Sequence, residues 1–544
     1  RSYFLAGQNM PWWLIGVSMV ATTFSTDTPN LVTDLVRQNG VSGNWTWWAF
    51  LITGMLTVFV YARLWRRSDI LTDIEFYELR YSGKAAAFLR GFRAIYLGLI
   101  FNVLVMGAVS LAAVKFGEII LGWPGWLTLL ISCSITLLYS SIGGLRAVII
   151  TDFIQFFLAM LGSVWATVYI VNLPQIGGIS NLVLHQNTIS KLSIFPDFKD
   201  PDIWVPVFMI PLSVQWWASY YPGSEPGGGG YIAQRMLSAK NEKNAIGATL
   251  LFNIAHYAIR PWPWILIALS SLIIFPELSD IQKAFPSLSD DKLGHDVAYP
   301  AMLSLLPSGL LGLVAASLIA AFMSTMSTQL NLGASYIVND FYYRFINPKA
   351  SDEKLVKVGQ LFTIISVALG ASLGLVLKSA SQAFTLLLMI GSGTGLIYIL
   401  RWFWWRINAY TEIIAMISSL IIACIFNFIE FNIEDWQKIV LGSMLTSAIW
   451  ILATFLTPPD DDQTLKTFVN KINPGGPGWK KYSTIESETP SSISRGVLSM
   501  FLGCIVVYGA LIGTGQLLYG YMFLGSSIYL VIIIISVLLF KVWK

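Results

Sequence analysis

Apolar runs long enough to cross a lipid bilayer recur along this chain with short polar breaks between them, and this pattern restricts the fold more than any other feature. A helix needs roughly 20 apolar residues to span the hydrocarbon core, where every backbone amide and carbonyl must be satisfied within the segment. Hydropathy places such segments near Trp12–Leu35, Trp45–Trp65, Ala94–Leu121, Trp126–Ser140, Ala147–Val171, Ile203–Pro222 and Ala245–Phe275. The series continues with Ser308–Tyr336, Val356–Leu377, Ala383–Phe403, Tyr410–Phe426, Ile439–Leu456, Gly496–Leu518 and Met522–Val542. The expectation is an all-α integral membrane protein of about fourteen transmembrane helices. Composition agrees: 55% of the 544 residues are hydrophobic and 12% charged, about half the charge of a soluble globular chain.

The same numbers exclude several functions. A net charge of +4, with Lys and Arg dispersed among loops, offers no continuous basic face for nucleic acid. Cys133, Cys424 and Cys504 lie in apolar segments with no close-spaced partner, as small packing residues do, so neither a disulfide framework nor a zinc site is expected. The three histidines, His185, His256 and His295, and the three thiols suggest no nucleophile and base, so an enzyme is not expected. The stretch Gly223–Gly230, GSEPGGGG, follows no strand and lacks the Gly-Lys-Ser/Thr ending of a phosphate loop, and is expected to be a flexible cytoplasmic linker. Arg1–Met10 is polar and the first apolar stretch is longer than a signal core, so the first span is expected to direct insertion.

Placing the N-terminus in the cytoplasm puts the basic runs Arg63–Arg93, Arg235–Lys243, Arg344–Lys357 and Lys466–Arg495 inside, as the positive-inside rule requires. The loop Pro276–Pro300, with Glu277, Asp280, Asp290, Asp291 and Asp296, then faces out. The protein is expected to be a multi-pass protein of the cell membrane, with the bilayer as its partner and no sign of an obligate protein partner.

Polar groups at membrane depth are costly and generally face an internal cavity. Four places carry them. The first span contains Ala21, Thr22, Thr23, Phe24, Ser25, Thr26, Asp27, Thr28 and Pro29, where hydroxyls that compete with helical bonds precede a proline that cannot join the ladder. This predicts a broken helix whose freed carbonyls can coordinate a cation, against the simpler reading of a proline kink. In the eighth span Ala321, Ser324, Thr325 and Thr328 share one helical face, with Ser327 at its border. Hydroxyl oxygens suit a hard cation such as sodium, although small residues also suit close helix packing. Asp152 opens the fifth span, either as a helix-start carboxylate or as a cation or proton site. In the seventh span Asn253, His256 and Arg260 precede Pro261-Trp262-Pro263-Trp264, with His256 and Arg260 one turn apart on one face. Arg260 must find acceptors, either an acid such as Asp27 or Asp34 or a solute. Lys115, near the outer end of its span beside Glu118, is expected to snorkel.

Together these residues resemble the sodium:solute symporter family, which includes sugar, proline and sialic acid symporters. The matching words are YFLAGQNMPWW from Tyr3, YSSIGGLRAVIITDFIQ from Tyr139 to Gln155, YIAQR from Tyr231 to Arg235 and AAFMSTMSTQL from Ala320 to Leu330. The resemblance implies a LeuT-like core of two inverted five-helix repeats with broken first and sixth helices, here 1–172 and 173–406. Residues 407–544 would add C-terminal membrane helices around a cytoplasmic loop at 458–494. In this family a helix usually precedes the YFLAG-like word, so the chain is expected to begin after that helix.

By this similarity a first sodium would be held by the Ala21 and Phe24 carbonyls with Ala321, Ser324 and Thr325. A second would use Asp152 with Ser327 and Thr328. The solute would meet Ser25, Thr28, Thr46, Asn102, Gln215, Trp217 and Arg260, while WWASYYPGSEPGGGG departs from familiar members in the sixth span and RPWPW does so in the seventh. The expected function is sodium-coupled symport, with one or two sodium ions co-transported, of a small polar solute that is sugar-like or bears a carboxylate. A proton-coupled transporter of the same fold using Asp27 or Asp152, or a transporter-derived membrane sensor, are the alternatives.

Overall fold

The computed structural model describes residues 9–70, 72–140, 145–218, 225–429, 431–482 and 491–543. Outside the described residues lie Tyr3–Gln8 of the first sequence word, 141–144 of the second, 219–224 of the sixth span and its glycine-rich extension, and 483–490 of the C-terminal loop. Among the described residues the secondary structure is helical, apart from one isolated bridge between Met10 and Ala239.

Among the described residues ten helices are long and apolar enough to cross a membrane: Val41–Ser68, Gly83–Leu121, Asp152–Val171, Glu242–Ile274, Ser308–Ile346, Asp352–Val376, Ala409–Asn427, Asp435–Leu456, Ile493–Leu518 and Met522–Trp543. The first, fourth, sixth and tenth expected spans appear as shorter apolar helices, Trp12–Thr22, Gly125–Leu138, Pro201–Ser213 and Ala380–Ser392. Burial sorts the elements into a core and a periphery. The most apolar windows of Val41–Ser68 and Glu242–Ile274 are 83% buried, whereas that of Met522–Trp543 is 11% buried and packs mainly on Ser491–Leu518.

The first span is broken as its sequence predicts. Helix Trp12–Thr22 ends, Thr23–Thr26 are non-helical, and helix Asp27–Asn39 begins. Pro29 falls in the first turn of the second half-helix, where a missing amide is tolerated. The first half-helix packs against Leu145–Val171, Glu242–Ile254 and Ser308–Ser335.

The sixth span is shorter than expected. Its helix ends at Ser213, a 3-10 turn covers Gln215–Trp217, and Ala218 is extended. Pro206 and Pro211 remove two ladder donors in this short stretch. The tenth span is interrupted between Ala380–Ser392 and Gly395–Leu400. A Cβ at Gly395 would stand 1.8 Å from the carbonyl oxygen of Trp217, so the two interrupted spans approach through a position only glycine fits.

The described part of the glycine-rich stretch is not an exposed linker. Residues 225–230 are buried, with Gly227 and Gly228 at φ of +88° and +83°. The Trp65 indole donates to Gly227 O (2.7 Å), and Asp73 accepts from Gly230 N (2.7 Å). The Glu225 carboxylate pairs with Arg93 and, at 3.7 Å, with Arg401. Arg401 also reaches Glu412 at 3.5 Å, to which the Tyr81 hydroxyl donates. A buried acid excluded from water needs such fixed cations, and finding them here makes the segment part of the core.

Candidate functional site

The break in the first span faces the hydroxyl-bearing face of helix Ser308–Ile346. Thr325 Oγ1 donates to Thr22 O (3.2 Å) and Phe24 O (3.4 Å), and Ala21 O accepts from Phe24 N (3.0 Å). Ala321 and Ser324 are buried one turn before and next to Thr325 on the same helix. Unwound carbonyls and hydroxyls therefore meet in one buried place, a donor set suited to a hard monovalent cation.

Ser324 joins this place to Asp152. The Asp152 carboxylate accepts from Ser324 Oγ (2.5 Å) and Ser18 Oγ (2.8 Å) and lies 3.6 Å from Arg235 Nη2. Arg235 also donates to Ser18 Oγ (3.1 Å) and Thr22 Oγ1 (2.9 Å). Its position on helix Gly230–Ser238 places the arginine of the YIAQR word against the first half-helix. Ser327 Oγ donates to Ser324 O (3.0 Å), and Thr328 Oγ1 is buried with no hydrogen-bond partner. The hydroxyls of Ser18 and Ser324, not those of Ser327 and Thr328, hold the carboxylate in this conformation.

A cavity of about 50 Å³ lies beside the break. Its wall includes Thr23, Thr28, Trp47, Thr53, Thr57, Glu225, Thr249, Asn253, His256 and Tyr257. Trp47 stacks on Tyr257 at 5.8 Å and meets His256 edge to face at 5.5 Å. The wall is thus an aromatic surface edged with hydroxyl, amide and imidazole groups and the ion-paired Glu225, with room for no more than a few waters in this conformation.

Of the residues expected to meet solute, Thr28 is in this wall. Ser25 is buried beside it in the break, with its hydroxyl making no hydrogen bond to protein. Thr46 and Gln215 are joined through the bond from Gln215 Nε2 to Thr46 O (2.5 Å), and Trp217 Nε1 donates to Ser392 O (3.1 Å). Asn102 Nδ2 donates to Gln329 O (2.8 Å), linking two long helices away from the wall.

Arg260 is fully buried against the end of the first half-helix. It donates to Val20 O (3.1 Å), Thr23 Oγ1 (3.1 Å) and Thr23 O (3.2 Å). His256 lies in a π turn at Ala255–Ile259 that closes on Arg260, and the two keep the common face that helical spacing gives them. Both reach Thr23, whose hydroxyl lies 3.5 Å from His256 Nδ1.

On the other side of the break, Lys115 does not snorkel. It is fully buried, 2.6 Å from Asp296 Oδ2 and 2.7 Å from Lys378 O, because the loop carrying Asp296 folds back over the helix end. His295 in that loop accepts from Arg37 Nε (3.3 Å) at Nδ1. Burial, then the Arg37 and Lys191 charges, hold this imidazole below the usual histidine range against the opposing pull of Asp296 and Glu277.

A bundle of membrane-spanning helices built around a broken first helix, with a polar cavity and a cation-type oxygen cluster at the break, is the architecture of a LeuT-like secondary transporter. The sequence matches the sodium:solute symporter family over residues 3–419, and the chain belongs to that family. The sodium/glucose cotransporter of Vibrio parahaemolyticus is 26% identical over 481 residues, covering 85% of this chain and 86% of that protein. The sodium/mannose cotransporter SLC5A10 of Bos taurus is 27% identical over 465 residues, covering 79% and 74%. A solved structure of a Na+-coupled sialic acid symporter, substrate-bound and outward-open, shares the fold with a TM-score of 0.63 at 21% identity, over 85% of this chain and 92% of that one. The protein is therefore a multi-pass membrane transporter that couples sodium to a solute, and not an enzyme.

Proposed function

We propose that the solute is a small, neutral, polyhydroxylated molecule, sugar-like rather than carboxylate-bearing, carried inward with sodium by alternating access. The carrying observation is the chemistry of the cavity wall: threonine hydroxyls, Asn253 and His256 beside the Trp47 face, with no Lys or Arg among the described residues that line it and its one acid, Glu225, paired with Arg93 and Arg401. An indole face and neutral hydrogen-bonding groups suit a sugar, whereas a carboxylate calls for a guanidinium. Arg260, the candidate for that role, holds the Val20 and Thr23 carbonyls and the Thr23 hydroxyl rather than lining the wall. The two relatives named for glucose and mannose support the same class.

In this reading one sodium binds between the Ala21 and Phe24 carbonyls and Ala321, Ser324 and Thr325, tying the broken helix to Ser308–Ile346 and favouring the state that completes the solute wall. A second sodium at Asp152, with Ser327 and Thr328, requires Arg235 to withdraw from the carboxylate. The repeats of the core are residues 1–172 and 173–406, with 407–544 outside them.

The test is a thermal-stability screen of the purified protein with sugars, sugar acids and amino acids, each with and without sodium, since a ligand of the folded state raises stability by mass action. A neutral sugar or polyol is expected to stabilise only in sodium. Stabilisation by acids or amino acids alone overturns the solute class, and sodium-independent stabilisation overturns the proposed order of binding.

A further inference from the structure

The carbonyls of the broken first span are divided between two sides. Val20 O and Thr23 O accept from the Arg260 guanidinium, whereas Thr22 O and Phe24 O accept from Thr325 Oγ1 on the opposite helix. Val20 O also accepts from Thr23 N (3.1 Å) and Thr23 Oγ1 (2.7 Å) at the helix end, but the Thr23 carbonyl lies in the unwound stretch, where no helical ladder fixes which way it points. A guanidinium supplies that constraint, because it is planar, permanently charged and carries donors at fixed spacing that hold two carbonyls at once. Its own position is tightly set. Arg260 lies over the rings of Trp264 (5.0 Å) and Phe24 (5.5 Å), and its amide closes the π turn on Ala255 O (3.1 Å) immediately before Pro261.

We propose that Arg260 is the positioning residue of the first sodium site. By taking the Thr23 carbonyl and bracing that of Val20 it leaves those of Thr22 and Phe24 directed at Thr325, and this rests on the sodium site proposed above. Arg260 has a second consequence through Thr23. The Thr23 hydroxyl accepts from Arg260 and lies beside His256 of the cavity wall, so one short chain of contacts joins the sodium cage to the solute wall. A fixed positive charge this close to a cation site repels sodium, so charge and geometry act in opposite directions on affinity. Lysine separates them, since it keeps the charge and loses the fork.

The experiment titrates sodium against thermal unfolding of the full chain at constant ionic strength, then measures solute affinity at saturating sodium. Arg260→Lys and Arg260→Leu are both expected to raise half-saturating sodium by about tenfold or more, the order expected for lost hydrogen bonds to a charged group. Solute affinity at saturating sodium is expected to move less than about threefold in the same variants. Thr23→Val, which removes one of the three acceptors, is expected to give a smaller shift in the same direction. An unchanged or lowered sodium requirement in either arginine variant overturns the proposal, as does a change confined to solute affinity. If neither arginine variant folds, Thr23→Val decides, and a wild-type sodium titration there overturns the proposal. Ser324→Ala combined with Thr325→Ala is read separately: an unshifted titration in that double variant removes the sodium site itself, whatever Arg260 does.

Discussion

Thr325 spends one hydroxyl on two carbonyls of the break, and Ser324 spends its own on the Asp152 carboxylate. A hydroxyl that bonds backbone in the absence of a cation turns its lone pairs to the cation when one arrives, so both residues are suited to exchange partners on loading. Replacing both by alanine is expected to abolish sodium stimulation of uptake, or to raise half-activating sodium by at least about tenfold, while membrane insertion persists. Uptake in proteoliposomes over a sodium series checks this, and wild-type sodium dependence refutes the site. Asp152→Asn tests the second ion. A Hill coefficient for sodium falling towards one supports it, and a value unchanged above one removes Asp152 from the coordination. A further residue-scale expectation concerns His295, which accepts from Arg37 and is therefore unprotonated at Nδ1. Its pKa is lowered in the fold, so the unfolded chain takes up the proton more readily, and stability is lost as pH falls below the ordinary histidine value of about 6.5. His295→Gln is expected to flatten the fall in melting temperature between about pH 7 and pH 5.

At the scale of elements, the interruptions matter more than the helices. The tenth span yields to the sixth at Gly395, where a methyl group would collide with backbone rather than with a movable side chain. Gly395→Ala is expected to cost about 1–3 kcal/mol of stability through overpacking, read as a lower melting temperature with transport lost in proportion. The glycine-rich segment depends on charge instead. Glu225→Gln leaves Arg93 and Arg401 buried without their shared acid and is expected to cost about 3–5 kcal/mol, measured by thermal unfolding; an unaltered melting temperature counts against the pairing. These elements also show what the sequence made legible. Hydroxyls preceding Pro29 announced the first break, and the helical spacing of Ala321, Ser324, Thr325 and Thr328 announced the face that meets it, because both signals are local. The solute wall was not local. Helical periodicity puts His256 and Arg260 together, and both do reach Thr23, but Trp47, Thr53 and Asn253 come into the wall only through the packing of separate helices. The buried state of Glu225–Gly230 was hidden for the same reason: its partners Trp65, Asp73, Arg93 and Arg401 lie far away in the chain.

For the whole molecule, burial falls from the centre outward, and the ends of that gradient have different solvents. Val41–Ser68 and Glu242–Ile274 are surrounded by protein, so their stability is a property of the fold. Met522–Trp543 touches mainly its predecessor and presents residues such as Phe523, Leu530 and Ile533 outward. Its polar backbone is satisfied internally, but most of its side chains contact whatever amphiphile surrounds the protein. The hold on this last helix is thus a matter of lipid chemistry: in a detergent whose chains are too short to match it, the edge of the molecule should loosen first, exchanging its amide hydrogens while the centre remains protected.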